Sequence, residues 1–254
     1  MDGDKFELRL AQGAEDLRLA QNLRYEVFVQ ELGGDGDMVD HARRLEADRF
    51  DPFFDHLMLL DHSRGGNPCV GVYRVMREDQ AAEAGQFYCD DEYDLSRLKN
   101  GPFKLLELGR SCLHPDYRGG LALIHLWNGL AAYVEDHGID LLFGVASFHG
   151  TDAAAFAEPL SLLHHRYLAP EDIRVRARAD HFQRMDLIEE ARLDRVSAAR
   201  AIPALIKGYL KMGGVVGEGA YIDRPFNTTD ICLLMNVKQI SEKQRGLYAK
   251  GARR

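Results

Sequence analysis

The stretch Leu105–Trp127, LLELGRSCLHPDYRGGLALIHLW, decides how this chain is read. It opens as a strand with Glu107 and Arg110 at its centre. It turns at Pro115, passes a basic loop of Arg118, Gly119 and Gly120, and becomes a helix. Strict alternation would put Glu107 and Gly109 on one face and Arg110 on the other. Glycine inside a strand often marks a bulge, which shifts the alternation by one. A bulge at Gly109 would bring Glu107 and Arg110 to one side. It would also free backbone N–H and C=O groups for an extended, amide-bearing ligand. The loop before a helix N-terminus suits an anion, because glycine lets backbone N–H groups approach it and the helix dipole favours it. The spacing matches neither GxxxxGK[ST] nor GxGxxG, so a nucleotide-hydrolysing P-loop is not expected.

Before this stretch, EDLRLAQNLRYEVFVQELGG reads as a helix. Leu17, Ala20, Leu23 and Val27 fall at helical spacing, and Gly33-Gly34 stops it. Arg24 and Phe28 are four apart and share a face. Residues 34–55 form a polar loop too long for a simple connection, and long ordered loops are often functional. HLMLLD and CVGVYRVM read as strands. On the second, Val70, Val72, Arg74 and Met76 share a face, and a charge on an apolar face needs a partner. After the central stretch, Leu123, Leu126, Trp127, Leu130, Ala131 and Val134 form a helical stripe ended by Gly138. IDLLFGVASF is a continuous apolar run, as in a strand buried on both faces. TDAAAFAEPLSLLHHRYL reads as a helix interrupted near Pro159, and AIPALIKGYLKMGG as another helix. GEGAYID and DICLLMNV close the chain as strands. The order is that of an α/β fold with a mixed sheet, in which ligands sit beyond strand ends near a helix N-terminus. No repeat or linker interrupts it, so one domain over residues 1–237 is expected, followed by a basic tail over 238–254.

The chain has 254 residues, 46% hydrophobic and 28% charged, with a formal net charge of -8. That charge argues against non-specific nucleic-acid binding. It is unevenly spread. Residues 31–55 hold eight acids and three bases, and residues 238–254 six bases and one acid. The acidic front could serve a cationic small substrate. The tail could meet an acidic partner or inner-membrane lipid. The four cysteines have no zinc-type spacing, so no metal site is expected and reduced thiols in a cytoplasmic protein are the simplest reading. The acidic N-terminus is no signal peptide, and no run reaches the ~20 apolar residues of a membrane span.

Strand with bulge, HPDYRGG loop, helix and buried strand together resemble the acyl-donor core of the GNAT acyltransferase fold. The resemblance implies a splayed mixed sheet flanked by helices, no tightly bound cofactor, and a thioester donor laid along the splayed strand. The donor would run past Gly109, Ser111, Cys112 and Leu113, with its phosphate at Arg118, Gly119 and Gly120. The loop departs from the usual R/Q-x-x-G-x-G/A pattern, since its second glycine comes one place early. That departure leaves room for the single phosphodiester of an acyl carrier protein. Arg24, Phe28, Glu46, Asp48, Asp51, Gly71, Arg74, Glu107 and Arg110 resemble, in order, positions of the acyl-homoserine lactone synthases, although Gly34 stands where those have an aromatic. The later block ALIKGYLKMGGVVGEGAYIDRPFNTTDICLLM resembles the ornithine N-alpha-acyltransferases of bacterial ornithine-lipid synthesis. This second resemblance is the closer. It implies transfer of a 3-hydroxyacyl group from acyl carrier protein to the α-amine of ornithine, giving lyso-ornithine lipid.

Such chemistry needs a group to take the ammonium proton and donors for the oxyanion. Glu107 is the first candidate base and Asp48 the second. Arg110 and free backbone N–H groups near Gly109–Ser111 are candidate oxyanion donors. Asp48, Asp51 or Asp55 could hold an ammonium, and Arg24 or Arg74 a carboxylate, with Phe28 beside them. A carboxylate fixed by Arg74 or Arg110 would be a weaker base. Cys112 reads as a small buried thiol rather than a nucleophile. Three alternatives stay open: the same reaction on another amino acid such as glutamine, an acyl-homoserine lactone synthase, and a silent module that binds acyl carrier protein or lipid.

Overall fold

The computed structural model describes residues 6–239. The basic tail beyond Gln239 lies outside the described residues. The strands are β1 (Glu7–Leu10), β2 (Asp55–Leu60), β3 (Cys69–Arg77), β4 (Tyr93–Asp94), β5 (Leu105–Leu113), β6 (Leu141–His149), β7 (Arg176–Ala177), β8 (Phe182–Gln183), β9 (Val215–Val216), β10 (Ala220–Asp223) and β11 (Thr228–Asn236). The α-helices are α1 (Gly13–Arg24), α2 (Glu78–Ala84), α3 (Ser96–Lys99), α4 (Ala122–His137), α5 (Ala157–Tyr167), α6 (Arg195–Ala201) and α7 (Ala204–Lys211). The fold is α/β, with a mixed sheet of nine strands among the described residues. The expected single domain is organised as two compact units. The first holds the described residues through Gly85 together with Leu108–Gly138. The second holds Gln86–Glu107 and the described residues from Ile139 on.

In the first unit β1, β2 and β3 pair antiparallel in that order, and the later part of β5 lies beyond β3. Alternation divides their side chains between two helices. Met58, Leu60 and Val72 pack with Ala20, Leu23 and Val27 on the α1 side. Leu57 and Leu59 alternate to the α4 side. There Gly129 of α4 lies so near the sheet that a Cβ would meet a Leu8 methyl at 2.5 Å and a Leu57 methyl at 3.0 Å. Only glycine permits that approach. The helix read over residues 15–34 does not stay α-helical. After Arg24 it opens into a π-helix, Tyr25–Glu31, whose turn closes with Leu32 N–H donating to Val27 C=O at 3.2 Å. Inserted π-turns of this kind gather at functional sites.

In the second unit, Leu105–Glu107 of β5 pair in parallel with Leu141–Phe143 of β6. β6 pairs antiparallel with β11 along its whole length, from His149↔Thr228 to Leu141↔Asn236, and β10 and β8 follow. β9 pairs with the other side of β11, while β4 and β7 form a small separate ribbon. The buried Leu141, Leu142 and Phe143 explain the continuous apolar run of β6. Pro159 does not interrupt α5. It is the third residue of that helix, where its missing N–H has no intrahelical partner to lose.

Candidate active site

Three arginines and three carboxylates interlock on the α1 side of the first unit. Arg24 ends α1, Arg74 lies on β3 and Arg110 on β5. Glu46, Asp48 and Asp51 come from the long acidic loop. That loop is fixed by an Asp40↔Leu45 bridge and by Glu46 N–H donating to Gln21 C=O at 3.1 Å on α1. Arg24 Nε donates to Glu46, and its Nη1 to Asp51 Oδ1 at 2.6 Å. Arg74 Nη1 donates to both Asp48 oxygens and to Asp51 Oδ1, each at 2.7 Å. The Arg74 guanidinium also lies over the Phe54 ring, 4.1 Å from its centre. Arg110 Nε reaches Glu46 Oε1 and its Nη2 reaches Asp48 Oδ2, both at 3.2 Å.

Arg110 joins this group through its backbone. Its φ is +47°, a left-handed conformation that a strand residue other than glycine rarely adopts. A Cβ on Gly109 would lie 3.7 Å from Arg74 Nε, so position 109 already faces the cluster. Strict alternation would send Arg110 to the other face. The irregularity expected at Gly109 therefore sits at Arg110, and it turns the guanidinium back toward Glu46 and Asp48.

The cluster is electrically neutral, which is how six charges can share a buried site. Burial pushes the carboxyls of Glu46, Asp48 and Asp51 up, but the neighbouring guanidinium groups outweigh it. All three sit below their ordinary range, Asp51 far below it under Arg24 and Arg74. Arg24, Arg74 and Glu46 have side chains 0% exposed, whereas Asp48 is 18% and Arg110 12% exposed. Only that adjacent pair, one anion and one cation, meets solvent to any extent. Arg24 and Arg74 thus hold the loop in place, and neither side chain meets solvent. Asp51 is sealed by two arginines and by Gln21 Nε2 at 2.8 Å, whereas Asp48, which also accepts the Phe50 N–H at 2.9 Å, is the more exposed of the two. Asp55 has another use, accepting from Tyr133 Oη at 2.6 Å and Arg77 Nη1 at 2.7 Å.

Glu107 belongs to the second unit, where it does a different job from the one expected. Its oxygens accept the backbone N–H groups of Tyr88 at 2.8 Å and Cys89 at 2.6 Å. A carboxylate fixed in this way anchors the turn at residues 88–91 and is poorly disposed to move a proton. Cys112 is a small buried thiol, as the sequence suggested. Its side chain fills the α1-side core beside Ala20, Leu23 and Cys69, and burial pushes the thiol well up. Only its backbone is left for a donor. Phe28 packs against the same core. Leu113 faces the α4 side, near the space a Gly71 Cβ would need, and Ser111 is half-buried. In the loop, Gly119 has φ +75°, and a Cβ there would meet nothing within 4 Å.

Sequence reading missed Gln21, Phe54 and His56. His56 is buried and its ring nitrogen Nε2 lies 3.1 Å from the Asp51 carbonyl oxygen. Its only sequence signal is the β2–β3 hairpin, whose register sets it opposite Arg74. In the second unit, Glu92, Asp223 and Asp230 bring carboxylate oxygens within 4.8 Å of one another and could hold a cation.

Comparison with known proteins adds the family. Residues 23–128 match the acetyltransferase (GNAT) domain family, a segment that contains the whole ion cluster and the Arg118 loop. Over 248 residues the chain is 57% identical to an L-ornithine N(alpha)-acyltransferase of Rhodobacter capsulatus, covering 96% of this chain and 95% of the relative. The chain belongs to the L-ornithine N(alpha)-acyltransferase family. It is accordingly an acyltransferase of GNAT type. The family member from Brucella abortus is 41% identical, covering 98% of this chain and 90% of the relative. Among solved structures, the acyl-homoserine lactone synthase LasI superposes with a TM-score of 0.52 at 14% identity, covering 97% of this chain and 96% of that one. The CoA-dependent synthase BjaI gives 0.51 at 14% identity, covering 93% and 82%. These two likenesses concern the fold. No helix among the described residues is long and apolar enough to cross a membrane.

Proposed function

We propose that this enzyme moves a 3-hydroxyacyl group from acyl carrier protein to the α-amine of L-ornithine, giving lyso-ornithine lipid. The observation that carries the reading is the adjacent Asp48 and Arg110, the only members of a neutral buried cluster left partly open. An α-amino acid presents an ammonium and a carboxylate side by side, and this pair is their complement. Full-length similarity to relatives named for ornithine supports that amino acid. The early second glycine of the Arg118 loop supports a carrier with one phosphodiester.

In this reading Asp48 receives the α-ammonium and Arg110 the α-carboxylate. Arg24, Arg74, Glu46 and Asp51 keep those two groups in position. Asp48 is held below its ordinary range, so it binds the ammonium as a fixed anion rather than as a base, and the ammonium's proton passes to water. The freed amine attacks the thioester carbonyl, and backbone N–H groups near Gly109–Ser111 meet the oxyanion. The C–S bond then breaks, the amide forms, and the carrier's thiol leaves with a proton. The product has one acyl chain and must pass to a membrane. The basic tail over 238–254 is proposed to act there, in peripheral contact with anionic inner-membrane lipid.

Thiol release from 3-hydroxyacyl acyl carrier protein tests the whole reading. Release should require ornithine. Release that depends on S-adenosylmethionine or glutamine instead, or none with any amine, would overturn it. Asp48→Asn should raise the ornithine KM about tenfold or more while leaving the donor KM within about twofold. Equal rises in both would remove Asp48 from amino-acid binding.

A further inference from the structure

The arginine of the phosphate-type loop already holds an anion. Arg118 Nη1 and Nη2 donate to the two oxygens of Glu31 at 2.6 and 2.7 Å, and Arg118 Nε donates to the Leu113 carbonyl at 3.2 Å. A guanidinium is planar and recognises a carboxylate or phosphate through paired in-plane N–H groups. Here the outer pair is taken by Glu31 and the inner edge by the backbone of β5. The hydrogen bonds from Arg118 also hold Glu31 below its usual carboxyl range, so it stays charged.

Two further features of this loop suit an anion from outside, although the exposed Asp116 lies beside them. α4 is sixteen residues long, and Leu121 at its N-cap supplies no side-chain acceptor for the first-turn N–H groups. The positive φ of Gly119, with open space where a Cβ would be, leaves the loop backbone approachable. The Arg118–Glu31 pair is itself substantially exposed, 43% and 36%, and such pairs are weak enough to exchange partners.

We propose that Glu31 is a built-in competitor for Arg118, which the phosphate of the acyl donor must displace, so that Glu31 sets the donor KM. The inference rests on the donor reading given under Proposed function. It makes the cost of releasing Glu31 a filter: a donor that brings a phosphate can displace it, and a donor without one cannot. Glu31 is a positioning residue and touches no reacting atom.

Steady-state kinetics of Glu31→Gln with two donors tests this, using 3-hydroxyacyl acyl carrier protein and a phosphate-free 3-hydroxyacyl-pantetheine thioester. The variant should lower the KM of the carrier-bound donor about twofold to fivefold, the range expected for an exposed ion pair. The KM of the phosphate-free donor and of ornithine should not move. An unchanged or raised KM for the carrier-bound donor would mean that Glu31 organises Arg118 for binding, and would overturn the inference. So would an equal fall for both donors, since phosphate would then be irrelevant. Arg118→Gln separates the two levels. If it leaves the carrier-bound donor KM unmoved, the loop is not the phosphate site and the donor reading fails. If it raises that KM while Glu31→Gln has no effect, the donor reading stands and the competition does not.

Discussion

His56 illustrates how a buried ring can hold a charged site without carrying charge. It faces Arg74 across the β2–β3 ladder, and Asp51 lies beside it. Burial, with Arg24 and Arg74 adding to it against the pull of Asp51, lowers its pKa from 6.5 to about 4. Between those values the unfolded chain takes a proton that the folded chain refuses. Stability therefore falls as pH drops through that window, by roughly 3 kcal/mol in total. The depressed carboxylates of the cluster act at more acid pH, because their stabilisation is lost only as pH falls through their own lower range. Urea unfolding at pH 7 and pH 5 should show a clear loss for the wild type and a much smaller loss for His56→Gln, whose amide can still donate to the Asp51 carbonyl. Parallel losses would place the titration elsewhere. The sequence made Arg74 conspicuous, since a charge on an apolar face requires partners, while Arg24 stood out only through the family resemblance. It did not reveal that Arg24 and Arg74 are supports and that Asp48 and Arg110 are the open pair. That division depends on how the loop over residues 34–55 folds back, which no local pattern encodes.

At the scale of elements, the break in β5 has a measurable signature. A left-handed conformation costs an ordinary residue roughly 1–2 kcal/mol and glycine little. Arg110→Gly and Arg110→Ala both delete the guanidinium, so both should lose ornithine affinity. The glycine variant should nonetheless be the more stable by roughly 1 kcal/mol in chemical denaturation. Equal stabilities would mean that the backbone relaxes once the side chain is gone. Gly129→Ala should destabilise by roughly 1–3 kcal/mol, because its methyl would be driven into Leu8 and Leu57 between α4 and the sheet. Element types were largely legible. The apolar stripe of α4 and the unbroken run of β6 each has one structural explanation. Boundaries were less so. Nothing in YEVFVQE announces a π-turn, and Pro159 looked like a breaker because the preceding turn was read as part of its helix.

For the molecule as a whole, one strand belongs to two cores. Leu105–Glu107 of β5 pair within the second unit, and Leu108–Leu113 belong to the first. Melting either core releases a strand that the other needs. The single tryptophan, Trp127 on α4, reports only the first unit, whereas far-UV circular dichroism reports all secondary structure. Their denaturation midpoints should coincide, and separate midpoints would show that the units unfold independently. The α/β class was visible from element order alone, but division into two units was not, because both are assembled from segments distant in sequence. The π-helix has a consequence of its own. It spans the chain between Arg24, in the cluster, and Glu31, which pairs with Arg118. Winding more loosely than an α-helix, it lets Arg24 at one end face the ion cluster and Glu31 at the other face Arg118. Two ion-paired sites of the first unit are thus joined by seven residues of a single unbroken turn type.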